Sequence, residues 1–292
     1  MAEIQTTQLL VDGLRCFVRS SGPESDREAV VFVHGNPGSS EDWLDLMHGV
    51  GDFVRAIAPD MPGYGKSEHP HHFDFSVGGY GRYLKSLIDA LGLERVHLVL
   101  HDFGGAWGLE WAAEHPSHVA SLTLIDAGVL AGYRWHRIAR LWQTPILGEL
   151  LQLSATRAMF KRSLNHDNPK PFPDAFVDRM FDDMDWPAKR GVLALYRASR
   201  DTSAMRARHG EALKPLALPA LVIWGAQDKY LPVRFAQIQS EFFDTQVHVI
   251  DGAGHWPMID EPAKVQTLVI QFLRQQLDLE LAAPQTSVGV EA

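Results

Sequence analysis

Short apolar runs recur along the chain, and a turn signal closes each one. Residues 29–33 run into His34–Gly35, 53–58 into Pro59–Asp60, 95–100 into His101–Asp102, and 119–125 into Asp126. Residues 219–224 end at Gly225, and 246–250 at Asp251–Gly252. The runs are apolar throughout rather than alternating, the pattern of strands covered on both faces of a mainly parallel sheet. Between them the period changes. Residues 77–91 place Tyr80, Tyr83, Leu84, Leu87, Ile88 and Leu91 on one helical face. Residues 104–114 and 262–277 also read as helices. Alternating strands and helices predict an α/β fold with right-handed crossovers. An early pair, 8–11 and 14–18 across Asp12–Gly13, is a hairpin signal.

The alternation breaks between residues 128 and 213. That stretch is rich in Arg, Leu, Met and Trp, has helical periodicity, and is interrupted at Pro145, at 169–173 and at Pro187. It is expected to be a helical cap inserted into an α/β core made of residues 1–127 and 214–278. Residues 279–292 are expected to form a disordered tail.

Composition narrows the function classes. A net charge of −9 argues against nucleic acid as the main partner, because phosphates need a basic surface. No apolar stretch approaches the ~18 residues of a membrane span, and the first ten residues lack a basic start followed by an apolar run. No membrane association is expected. The single cysteine, Cys16, excludes an intrachain disulfide and suits a reducing cytoplasm, the expected location. No metal-ligand cluster is evident, and no cofactor is expected.

The candidate chemistry centres on His101-Asp102-Phe103-Gly104-Gly105, between a predicted strand and a predicted helix. A nucleophile elbow needs that context: the turn exposes one side chain above the sheet, and glycine lets the helix pass close to the strand. The exposed position is Asp102. A carboxylate is already charged at neutral pH and needs no base to activate it. It can attack an sp³ carbon to give an ester, which a histidine-activated water then hydrolyses. Such an elbow suits epoxide opening or halide expulsion better than ordinary ester hydrolysis. A carboxylate capping the following helix is the simpler reading, and the remaining residues weigh against it.

Those residues follow the other strands. His255, in a Gly-rich loop after the last strand, is the candidate base. Asp228, after the preceding strand, is expected to orient it, with Asp126 as the alternative acid. The backbone N–H groups of Asn36 and Phe103 are expected to form an oxyanion hole, and the Asn36 amide can donate to a leaving halide or alkoxide. The turn 58–67 is read as structural, because it lacks phosphate-loop spacing. The run His69-Pro-His-His72 is read as solvated.

Taken together, His34-Gly-Asn-Pro37, Asp60 with Gly63-Tyr-Gly65-Lys-Ser67, His101-Asp-Phe-Gly-Gly105, Asp228 and Gly254-His255 resemble the α/β-hydrolase superfamily. The Asp elbow resembles its epoxide hydrolase and haloalkane dehalogenase branches. The resemblance covers about residues 8–127 and 214–278. Epoxide hydrolases are similar in using cap tyrosines to donate to the epoxide oxygen. By that resemblance Tyr196 is the second such tyrosine, while Tyr133 and His136 are candidates for the first. Haloalkane dehalogenases hold halide with tryptophans, or with a tryptophan and an asparagine. Asn36 matches the asparagine, but the tryptophan expected after the nucleophile is Phe103, which has no ring N–H. Trp135, Trp142 or Trp186 would have to substitute. Fluoroacetate dehalogenases resemble the chain in their cap Tyr-Arg-Ala and in an acid where Asp126 lies, but place arginine where Phe103 stands. The expected substrate is therefore small, uncharged and partly apolar, with water as co-substrate. Epoxide hydrolysis is the first expectation. Haloalkane dehalogenation, and a non-catalytic binding protein on a hydrolase fold, are the alternatives.

Overall fold

The structure, a computed structural model, describes residues 2–24, 27–200 and 203–278. The expected tail at 279–292 lies outside them. Eight strands form one sheet in the order β1-β2-β4-β3-β5-β6-β7-β8. They are β1 Gln5–Val11, β2 Leu14–Ser21, β3 Glu28–Val33, β4 Arg55–Pro59, β5 Arg95–His101, β6 Val119–Ile125, β7 Pro219–Gly225 and β8 Asp244–Ile250. The expected hairpin is β1–β2, antiparallel with Val11 opposite Leu14. β2 also meets β4 antiparallel, and every pairing from β4 to β8 is parallel.

Apolar residues fill both sides of the central strands, as continuous apolar runs require. In β3, Val31 and Val33 face one core while Val30 and Phe32 face the other. The first core takes Tyr80 and Leu84 of α2 (Val77–Ala90) and Trp107 and Trp111 of α3 (Phe103–Glu114). The second takes Leu46 and Met47 of α1 (Leu44–Val50) and Val265, Val269 and Phe272 of the last helix, Pro262–Gln276. β8 departs from the expectation. It is an edge strand with one partner, and Val249 is 38% exposed.

The helix α1 and the 3-10 turn Ser40–Trp43 before it were not expected. A sequence signal was present: Ser39 and Asp42 form a reciprocal capping box.

Between β6 and β7 the described residues contain six α-helices, followed by the 3-10 turn Lys214–Leu216. The helices are α4 Arg137–Trp142, α5 Leu147–Ser154, α6 Arg157–Asp167, α7 Asp174–Asp182, α8 Trp186–Ala198 and α9 Ser203–Leu213. Pro145 and Pro169 fall between helices, whereas Pro187 lies in the first turn of α8 and starts it. After β7 come α10 Arg234–Ile238, α11 Pro257–Asp260 and α12 Pro262–Gln276. No helix among the described residues is long and apolar enough to cross a membrane.

His69 departs from the solvated reading. Its Nδ1 lies 2.9 Å from Asp185 Oδ1, tying the loop before α2 to the N-cap of α8.

Candidate active site

The loops leaving β3, β5, β6, β7 and β8 carry Asn36, Asp102, Asp126, Asp228 and His255 respectively. All five leave the carboxyl ends of parallel strands, where open α/β sheets place their ligands.

Asp102 has φ 49° and ψ −118°, outside the ordinary helical and extended regions. Such a conformation costs about 1–3 kcal/mol and persists only where its surroundings enforce it. Here glycines let the neighbouring backbone close on it. A Cβ on Gly104 would lie 2.2 Å from the Val33 carbonyl oxygen, and one on Gly35 2.4 Å from Asp102 Cβ. A Cβ on Gly105 would meet Ala127 at 2.6 Å. The elbow is thus wedged between the ends of β3 and β6.

One carboxylate oxygen of Asp102, Oδ1, accepts from the Asn36 backbone N–H at 2.8 Å. Phe103 N–H belongs to the first turn of α3, whose N–H groups have no partner within the helix. The other oxygen, Oδ2, lies 3.5 Å from His255 Nε2. Burial alone would raise the Asp102 pKa. The hydrogen bond and charge of His255 outweigh it and bring the pKa down to about 2.

His255 Nδ1 donates to Asp228 Oδ2 at 2.7 Å, and the Asp228 carboxylate is fully buried. Asp228 Oδ1 accepts the N–H groups of Tyr230 and Leu231 at 2.7 and 2.9 Å. Burial opposes charge on His255, but the Asp228 carboxylate and the bond to Asp102 raise its pKa well above the ordinary value. Both candidate acids reach this region. The ligating atoms of Asp126, Asp228 and His255 lie within 4.8 Å of one another. That grouping has the atom types of a metal site, but the contacts above already engage the facing atoms of Asp228 and His255.

Several residues that place these groups have roles that no local pattern reveals. His101 Nε2 donates to the His255 carbonyl at 2.7 Å, tying the elbow to the last loop. Burial brings the His101 pKa down to about 4, so the ring is neutral. Asp260 accepts from Gly254 N–H at 2.8 Å, holding the same loop from the other side. His34 Nε2 accepts from Met61 N–H at 3.0 Å, joining the loops after β3 and β4. The Gly63-Tyr64-Gly65 turn, read as structural, brings Tyr64 O–H to Asn36 Oδ1 at 3.3 Å. That contact fixes which way the Asn36 amide faces: its NH₂ points to Tyr196, donating to the phenol oxygen at 3.4 Å.

A cleft opens over Asp102 and His255. Asn36, Tyr196, His136 and Tyr230 are among the polar residues of its wall, and Trp142, Phe160 and Leu164 among the apolar ones. No Lys or Arg lines it among the described residues. Tyr196 is buried, and burial followed by the Asp102 charge holds its phenol well above the ordinary pKa, hence neutral. Phe103 packs against Trp135 and Tyr196, with ring centroids 5.8 and 5.3 Å away.

Tyr133 is not in the wall; its O–H donates to the Tyr230 carbonyl at 3.0 Å. His136 is in the wall. Burial brings its pKa down to about 4, and its Nδ1 accepts from Ala139 N–H at 3.4 Å as the N-cap of α4. A neutral ring accepting at Nδ1 carries its proton on Nε2. Of the three candidate tryptophans, Trp135 gives its ring N–H to the Ser199 carbonyl at 2.9 Å. Trp186 lies outside the wall and is 40% exposed, while Trp142 lines the cleft.

Comparison with known proteins agrees with this architecture. The chain is 30% identical over 262 residues to 2-hydroxy-6-oxo-2,4-heptadienoate hydrolase of Pseudomonas putida, covering 84% of this chain and 88% of that protein. Its fold is similar to that of epoxide hydrolase CorEH, with a TM-score of 0.80 and 20% identity over 94% of this chain and 99% of that one. It is also similar to that of haloalkane dehalogenase DbeA from Bradyrhizobium elkani, with a TM-score of 0.83 and 24% identity over 94% and 99%. The alpha/beta hydrolase fold family matches residues 28–262, and the chain belongs to that family.

Proposed function

We propose that the protein hydrolyses an epoxide to a diol through a covalent ester on Asp102, with the β6–β7 insertion as the cap over the site. The observation that carries this reading is the hydrogen-bond direction at Tyr196. Its oxygen accepts from Asn36, so its own proton is free to be donated into the cleft above Asp102.

In the first step Asp102 Oδ2 attacks an epoxide carbon and the carbon–oxygen bond breaks. The electron pair stays on the oxygen, which takes a proton from Tyr196. His136, neutral with its proton on Nε2, is the second donor to that oxygen. Asp102 Oδ1 already rests on the Asn36 N–H, so it is the oxygen prepared to become the oxyanion in the second step. There His255 takes a proton from water, Asp228 stabilises the imidazolium, and the hydroxide attacks Asp102 Cγ. Collapse of the tetrahedral intermediate breaks the Cγ–Oδ2 bond, and the departing alkoxide takes the proton of the His255 imidazolium to give the diol. The proton left on the new Asp102 carboxyl returns to the Tyr196 phenolate, restoring the carboxylate.

The wall of the cleft supports an uncharged substrate. The Pseudomonas putida relative is named for a carboxylate substrate, and a buried carboxylate calls for a cationic partner. Among the described residues this wall offers no Lys or Arg, and His255 is already engaged by Asp228 and Asp102. Haloalkane dehalogenation is the second reading. The Asn36 NH₂ and Trp142 both line the cleft and would hold halide, although Asn36 already donates to Tyr196. Parallel assays of diol formation and halide release on matched epoxides and alkyl halides separate the two. Diol formation without halide release is expected. Halide release with no diol from any epoxide overturns the first reading, and saturable binding without turnover favours a non-catalytic protein.

A further inference from the structure

We propose that Asp126 is kept as a neutral carboxylic acid that donates its proton to Asp228, limiting the charge behind His255 to a single carboxylate. The inference rests on His255 as the base of the proposed reaction. It concerns a residue that this mechanism leaves without a task.

Asp126 is completely buried at the end of β6 and has φ 41°, a left-handed conformation uncommon for any residue but glycine. One of its carboxyl oxygens lies within 4.8 Å of an Asp228 carboxyl oxygen and of a His255 ring nitrogen. Two ionised carboxylates that close in a buried site repel strongly, so one holds a proton. The hydrogen-bond inventory decides which. Asp228 accepts from His255 Nδ1, Tyr230 N–H and Leu231 N–H. The two oxygens of Asp126 share one donor, Gly225 N–H, at 3.0 and 3.3 Å. Donors stabilise the charged form. Asp228 is therefore the anion and Asp126 the acid, in line with a pKa pushed well above the carboxylate range by burial and then by the Asp228 charge.

Other ionisable groups face the pair. Asp102 and His101 come from the elbow, His136 from the N-cap of α4, and Tyr230 from the loop after β7. Asp102 is charged, whereas His101 and His136 are neutral near pH 7 and Tyr230 is a neutral phenol. The positive charge near Asp126 is His255 itself, and its support for an ionised Asp126 is outweighed by burial and the Asp228 charge. Asp126 is thus a positioning residue with a second capacity: with Asp228 neutralised, it is free to ionise and support His255 in its place.

The test reads the His255 titration by ¹⁵N NMR and needs no substrate. Asp126→Asn keeps a donor toward Asp228 and is expected to move the His255 midpoint by less than about 0.5 pH unit. Loss of a charged neighbour would lower it by about 1 unit or more. Asp228→Asn is expected to stay at least about 1 unit above the double variant D126N/D228N, because Asp126 then ionises. A fall of 1 unit or more in Asp126→Asn, or coincidence of Asp228→Asn with the double variant, overturns the proposal. Should Asp126→Asn not fold, ¹³C NMR of the unsubstituted protein reports the same state. The Asp126 carboxyl is expected in its acid form at pH 7, and a carboxylate signal there overturns the inference. Failure of epoxide turnover with these titrations intact would count against the proposed reaction alone.

Discussion

The 3.5 Å between His255 Nε2 and Asp102 Oδ2 couples the protonation of one residue to the charge of the other. While Asp102 is ionised, it and Asp228 together hold the proton on His255, against the effect of burial. Alkylation turns Asp102 into a neutral ester and removes one of those two supports. On the proposed mechanism, formation of the ester therefore prepares its own hydrolysis, because His255 then yields its proton more readily.

A pH dependence follows. The Asp102 pKa, brought down to about 2 by His255 despite burial, leaves the carboxylate ionised throughout the mildly acidic range. Alkylation is expected to proceed at pH 5 and pH 7 at rates within about twofold. Hydrolysis needs neutral His255, whose folded pKa is raised, so it weakens as pH falls, by about tenfold per unit once the imidazole is mostly protonated. Wild-type protein quenched at pH 5 should carry more ester than at pH 7 by intact mass. Equal ester at both pH values would remove His255 from the second step.

Tyr196→Phe deletes the proposed donor and keeps the ring that packs against Phe103, Trp135 and Trp142. Epoxide turnover is expected to fall by about 10²–10³-fold, with the melting temperature little changed. Unchanged epoxide turnover would exclude Tyr196 as the donor. Halide release from any alkyl halide accepted should fall much less.

The elbow's dependence on glycine is a separate matter of stability. Gly104→Ala sets a Cβ against backbone and is expected to cost about 1–3 kcal/mol or more, seen as a lower denaturant midpoint. Gly78→Ala is the contrast. Gly78 lies in α2, and an added Cβ there meets nothing closer than 3.4 Å, the tip of Arg82. That change is expected to be neutral or to stabilise by about 0.5 kcal/mol. Equal costs at the two positions would contradict the close-approach account.

These contrasts also explain what the sequence made legible. Asp102, His255, Asp228 and Asp126 stand where a strand ends, and strand ends are marked by local pattern and glycine. The sheet followed for the same reason, except that β8 was read as fully covered; edge position is a property of the whole sheet. Tyr64, His34 and His101 stand in recognisable motifs, but their roles, like that of Asp260, were not legible because their partners come from other loops, His101 reaching across 154 positions to His255. The direction of the Asn36 amide, on which the Tyr196 argument turns, depends on Tyr64 and has no sequence signature. The choice among the cleft-wall candidates was likewise a matter of packing. Trp135 and Tyr133 have committed their donors, whereas Trp142 and His136 face the cleft.

The central claim is a covalent bond between Asp102 and substrate carbon, and the mass of a His255→Gln variant tests it most directly. Glutamine retains an amide N–H beside Asp102 but provides no base for water. With an epoxide panel, the account predicts a stable adduct equal to the whole epoxide mass, mapped to the peptide containing Asp102 and absent from H255Q carrying Asp102→Asn. A variant that stays unmodified by epoxides and alkyl halides alike, while the wild type turns one of them over, would contradict the covalent mechanism.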